Sequence, residues 1–110
     1  MFNEFEESIP DRFTWDIVDG KCRAIWLPNR LGNVGYRFEL GYIPHGDRPT
    51  TVIKKYEITE VMKEELSSFI HNYWSGAGFT SEAEAVDYYK ENSSHEFATK
   101  GFIYIFRRVD

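Results

Sequence analysis

Residues 12–27 read Arg12-Phe13-Thr14-Trp15-Asp16-Ile17-Val18-Asp19-Gly20-Lys21-Cys22-Arg23-Ala24-Ile25-Trp26-Leu27, and the rest of the chain is read outward from them. Phe13, Trp15 and Ile17 alternate with Arg12, Thr14 and Asp16, the two-residue period of a half-buried strand. Asp19-Gly20 suits the two positive-φ positions of a type I′ turn, so the spacing predicts a tight hairpin. A two-residue turn sets Ile17 against Cys22, Trp15 against Ala24 and Phe13 against Trp26 on one face. On the other face Asp16 meets Arg23 as a cross-strand ion pair, and a slip of one residue breaks both matches.

Toward the C-terminus, residues 28–33 are rich in turn formers and read as a loop. A third strand follows over 34–42, with Val34, Tyr36, Phe38, Leu40 and Tyr42 on one face and Arg37 and Glu39 on the other. A fourth strand over 51–58 places Lys54 on the same face as Val52 and Tyr56, an inward lysine that suggests a sheet edge. Thr59 then serves as the N-cap of a helix through Val61, Met62, Leu66, Phe69, Ile70 and Tyr73, stopping near Gly76 and Gly78. Ser81 with Glu84 is a capping-box pattern for a second helix to about Asn92. Residues 101–109 are apolar on both faces and read as a central strand. The expected fold is α+β, with a mainly antiparallel sheet, the order β-β-β-β-α-α-β and two helices packed on one face.

Toward the N-terminus, residues 1–10 form an acidic arm with Phe2, Phe5 and Ile9 spaced for a short amphipathic helix. The whole chain, residues 1–110, fits one domain, and 42% hydrophobic residues with 17% aromatics suffice for a core. A formal charge of -5 argues against a polycationic nucleic-acid coat. The acidic start is unlike a signal peptide, and no apolar run is long enough for a membrane span, so a cytoplasmic protein without a membrane partner is expected.

Charge is unevenly spread along the chain. Residues 1–19 carry -5, 20–58 carry +4, 59–99 carry -6 and 100–110 carry +2. The sheet is thus expected to be basic and the helices acidic, which bears on the choice of partner. Glu64, Glu65, Tyr73, Trp74, Glu82, Glu84, Asp87, Tyr88 and Tyr89 are the candidate protein-contact residues, combining carboxylates with aromatic anchors. They point to a small acidic module that binds another protein with a basic surface and inhibits or regulates it. A nucleic-acid enzyme is one such target, and inhibitors of that type are common in phages and mobile elements.

Two other readings stand beside it. Arg12, Arg23, Arg37 and Lys55 are expected on the outer sheet face, where they could hold a single-stranded nucleic acid, although the aromatics lie on the opposite face. His45, Asp47 and Arg48 bring a base, an acid and an anion clamp to one loop, which could bind phosphate or move a proton as the centre of a small enzyme. No metal site and no cofactor are expected: His45, His71, His95 and Cys22 lack the spacing of a zinc motif, and no glycine pattern matches a phosphate-binding loop. Cys22 reads as a small buried hydrophobe rather than a nucleophile. No catalytic residue is assigned.

Overall fold

The computed structural model describes residues 4–42 and 52–109. Its elements in chain order are α1 (Glu4–Glu7), α2 (Asp11–Val18), β1 (Ala24–Leu27), β2 (Arg37–Tyr42), β3 (Val52–Glu65), α3 (Leu66–Tyr73), α4 (Glu82–Asn92) and β4 (Lys100–Arg108). The strands form one antiparallel sheet in the order β1-β4-β3-β2. The α+β class and the antiparallel sheet are as expected, and from Ala24 onward the elements follow the expected β-β-β-α-α-β. The N-terminal arm does carry a short helix.

The first element is a helix and not a strand. Phe13, Ile17 and Val18 are buried while Trp15 is 38% exposed, so the apolar residues that pack obey a helical and not a two-residue period. Over a segment this short both periods fit, and packing against the rest of the chain decides between them. Asp19-Gly20 closes the helix instead of turning a hairpin. Asp19 has φ -78° and only Gly20 is left-handed, at φ +80°. The Lys21 N–H donates to Asp16 O at 2.8 Å and the Gly20 N–H to Ile17 O at 3.0 Å, the paired bonds of a Schellman motif. The expected Asp16–Arg23 cross-strand pair is therefore absent, and Cys22 lies buried in the link between α2 and β1.

Two further expectations change. Thr59 is no helix cap, because β3 runs on to Glu65 against β4. A register shift falls between Ile58 and Glu60, and the Thr59 hydroxyl donates to Ile105 O at 3.2 Å, meeting an acceptor of the neighbouring strand. The helix starts at Leu66, and its buried positions are Leu66, Phe69 and Ile70. The strand that carries Lys54 is central as a whole, not an edge strand, although at Lys54 itself only β2 is paired, because β4 ends opposite Tyr56. Lys54 does lean inward, but its ammonium donates to Val18 O at 2.9 Å, at the negative end of α2. That contact satisfies the inward ammonium.

Other expectations hold in detail. Ser81 Oγ accepts the Glu84 N–H at 3.1 Å, capping α4. Phe38 and Leu40 are buried while Arg37 and Glu39 are exposed, and β4 is central.

One sheet face carries Phe38, Tyr56, Ile58, Tyr104 and Phe106 and is covered by α1, α2 and the loop after β1. Phe5 of α1 meets Phe38 and Tyr104 edge-on, at 4.9 Å each. Burying such a ring contributes about 2–3 kcal/mol. The other face carries Trp26, Met62 and Ile103, opposed in register, and α3 packs there through Tyr73. The Trp26 ring lies across Gly101: a Cβ at that position would come within 2.5 Å of both the ring and Leu27 O. The helix α4 touches both α2 and α3, with Tyr89 between Phe13 and Phe69.

Candidate functional site

Of the nine residues expected to form a protein contact, the structure gathers only part. Glu64 and Glu65 sit at the end of β3 rather than on a helix. Glu64 is exposed at the wall of a depression of about 380 Å³, shared with Met62, Ser68, Asn72, Tyr73 and Ile103. The strand β3 supplies Met62 and Glu64 from alternate positions on one face, and α3 supplies Ser68 and Asn72 from consecutive turns. The Tyr73 hydroxyl points at Met62 Sδ, 3.8 Å away. From the same helix His71 Nδ1 lies 2.7 Å from Glu82 Oε1, joining this surface to the start of α4, where Asp87 is exposed one and a half turns on.

The rest of the set serves the fold. Tyr89 is 6% exposed and belongs to the core, so it is corrected from a contact residue to a packing residue. Its hydroxyl is buried without a hydrogen-bond partner, and burial raises its pKa. Glu84 is taken up by its own molecule: Thr80 Oγ1 donates to it at 2.7 Å and Arg12 at 2.9 Å, and these bonds, that of Thr80 first, lower its pKa. The Arg12 guanidinium stands 4.3 Å from the Phe79 ring centre and 4.9 Å from that of Tyr88, so Tyr88 is half-buried beneath a cation. This cluster latches α2 to α4. Trp74 is partly buried against the core, and Glu65 accepts from Ser67 Oγ at 3.3 Å.

The residues considered for nucleic acid do not form one surface. Arg12 is on α2 and not on a strand, for the reason given above. Arg23 is exposed just before β1. Arg37 and Lys55 do share the outer face of β2 and β3, but each is met by a carboxylate: Arg37 by Glu57 at 3.0 Å and Lys55 by Glu39 at 3.8 Å. Glu57 also receives Arg107 at 3.5 Å, and its pKa is lowered chiefly by the Arg37 bond. The loop bearing His45, Asp47 and Arg48 lies outside the described residues.

Among the described residues, no group of three or more His, Cys, Asp and Glu side chains is placed to hold a metal ion, and no helix is long and apolar enough to cross a membrane. Burial pushes the Cys22 thiol up to about 12, so it is protonated at neutral pH and no nucleophile. Its sulfur lies 3.4 Å from Ala24 O.

Sequence reasoning missed the floor of the depression. Ile103 was legible only as one apolar residue of a strand apolar on both faces, and Met62 was assigned to a helix. The Arg12–Glu84 latch joins residues 72 positions apart and leaves no local signal. Comparison with protein-family models, with curated proteins and with solved structures finds no match for this chain.

Proposed function

We propose that this chain is a non-catalytic protein-binding module that engages a partner with a basic surface through the depression between β3 and α3, and inhibits or regulates it. The observation that supports the reading is the pairing of an apolar floor, where the partly buried Met62 reaches the surface over the fully buried Ile103, with the exposed Glu64 carboxylate at its wall. A lysine or arginine of a partner has the matching form, an aliphatic stem for the floor and a cationic head for the carboxylate. Tyr73 beside it is an amphipathic residue of the kind that anchors interfaces. Glu82 and Asp87 extend the negative potential outward and favour encounter with a cationic surface, such as the Lys- and Arg-lined channel of a nucleic-acid enzyme.

The test is a triple charge reversal, Glu64→Lys, Glu82→Lys and Asp87→Lys. All three positions are solvent-exposed, so circular dichroism and the unfolding midpoint are expected to stay close to those of the parent. Capture of the partner from nuclease-treated host lysate is expected to be lost. Capture at unchanged yield by a folded triple variant would end this reading.

A further inference from the structure

We propose that the cleft at the C-terminal end of α2 is a binding site for a small organic phosphate, a phosphomonoester carrying an apolar or planar group. The cleft encloses about 370 Å³, within the range of small-ligand sites. It exists because two elements stop at different places. The strand β1 begins at Ala24, opposite Ile105, whereas β4 runs on to Arg108, so the last residues of β4 have no neighbour on the β1 side. The end of α2 and the turn after it form the facing wall.

The lining is cationic in a chain of net charge -5. Among the described residues Arg23, Lys54 and Arg108 are the cations that line the cleft and Asp19 the carboxylate, while the Arg107 side chain leaves toward Glu57 on the outer face. The carbonyl end of α2 would repel an anion if left bare, but it is covered. Lys54 Nζ donates to Val18 O at 2.9 Å, and the Tyr56 hydroxyl donates to Ile17 O at 3.2 Å. Lys54 keeps two further N–H donors after that bond. Among the described residues Arg23 has no ion-pair partner, so its full fork of donors is available.

Beneath the cations the surface is apolar. The Tyr56 and Phe106 rings meet edge-on at 6.0 Å, and Val18 and the protonated Cys22 thiol complete the floor. A phosphate dianion fits the Arg23–Lys54 side through charge-assisted bonds, and a ring or short chain fits the floor. The cations converge on a cleft instead of tracking along a groove, which favours a small ligand over a nucleic-acid strand. With Cys22 protonated, the described lining offers no nucleophile, and the assignment is one of binding. The cleft and the depression beside α3 share no lining residue, and the two proposals stand or fall separately.

The test is a 1H–15N NMR titration of the full chain with phenyl phosphate, inorganic phosphate and phenol in turn. Saturable shifts of the Gly20, Arg23 and Arg107 amides are expected with phenyl phosphate, and binding of the other two is expected to be at least about tenfold weaker. Arg23→Ala is expected to weaken phenyl phosphate about tenfold or more and to leave the unfolding midpoint in place, because the side chain is exposed. Arg30→Ala, at an exposed arginine outside the cleft, is expected to change nothing. The absence of saturable shifts would overturn the proposal. So would equal weakening by the two variants, or inorganic phosphate binding as tightly as phenyl phosphate.

Discussion

Removal of a single oxygen atom from Tyr104 and from Tyr89 is expected to shift stability in opposite directions. The Tyr104 ring is fully buried, and its hydroxyl donates to Asn29 O at 3.1 Å and accepts the Leu31 N–H at 2.7 Å. It therefore fastens the loop after β1 to the centre of the sheet. In Tyr104→Phe both bonds go, at a net cost of about 1 kcal/mol each, and a backbone donor and acceptor are left facing a ring. Since the loop lies at the surface, water can relieve part of that second cost, and a total loss of about 2–3 kcal/mol is expected. That is a fall in Tm of roughly 10 °C or more for a domain of this size. The Tyr89 hydroxyl, by contrast, is buried with no partner, so Tyr89→Phe discards an unsatisfied group. A gain of about 1 kcal/mol is expected. Urea unfolding of the two variants beside the parent reads both effects, provided the m-value is unchanged. Tyr104→Phe within about 0.5 kcal/mol of the parent, or Tyr89→Phe destabilised by about 1 kcal/mol, would refute the reasoning.

Other substitutions probe the corrected elements. Gly20→Ala places a Cβ at φ +80° and is expected to cost about 1–2 kcal/mol, whereas Asp19→Ala, at φ -78°, is expected to stay within about 0.5 kcal/mol; a type I′ turn would penalise both, so paired unfolding curves separate the two structures. Arg12→Ala is expected to cost about 1–2 kcal/mol in thermal unfolding, mostly from lost contact with the Phe79 and Tyr88 rings, because its ion pair with Glu84 is one-third exposed; Arg12→Lys recovers only part. Cys22 sets an alkaline limit. With its pKa raised from 9.0 to about 12 by burial, the folded state holds a proton that the unfolded state releases, so its contribution is intact below pH 9 and is lost between 9 and 12, at about 1.4 kcal/mol per pH unit. Cys22→Ala should flatten that part of the stability–pH curve. Glu84, with its pKa lowered, contributes above its ordinary value of 4.5 and loses that contribution as pH falls below it; Glu84→Gln should reduce the acid dependence.

What could be read in advance follows from the range of each signal. Ser81 with Glu84, the alternation of Phe38 and Leu40, and the doubly apolar β4 are local patterns with a single structural meaning, and all three are present. Residues 12–18 carry a pattern that fits both periods, and Asp-Gly is as good a helix stop as a hairpin turn. Burial of Phe13 and Ile17 against α4 and the sheet resolves that ambiguity, and those contacts are distant in sequence. Helical spacing over 61–73 mixed two elements, because Val61 and Met62 owe their positions to β4, about forty residues away. The inward Lys54 was legible, while its reason was not: the Val18 carbonyl exists as an acceptor only once α2 is a helix. The proposed contact surface suffered in the same way. Its carboxylates were visible, but which of them the fold consumes, as it does Glu84, depends on Arg12, far off in the chain.

The protein-binding proposal meets its most direct test in site-specific photo-crosslinking in nuclease-treated host lysate. A photoreactive amino acid replaces Ser68, inside the depression, or Lys55, on the outer face of β2 and β3. One discrete protein adduct from position 68 and none from position 55 is the predicted result. Adducts from position 55 alone, or none from position 68 at any protein concentration tried, would contradict the assignment of a partner to the surface between β3 and α3.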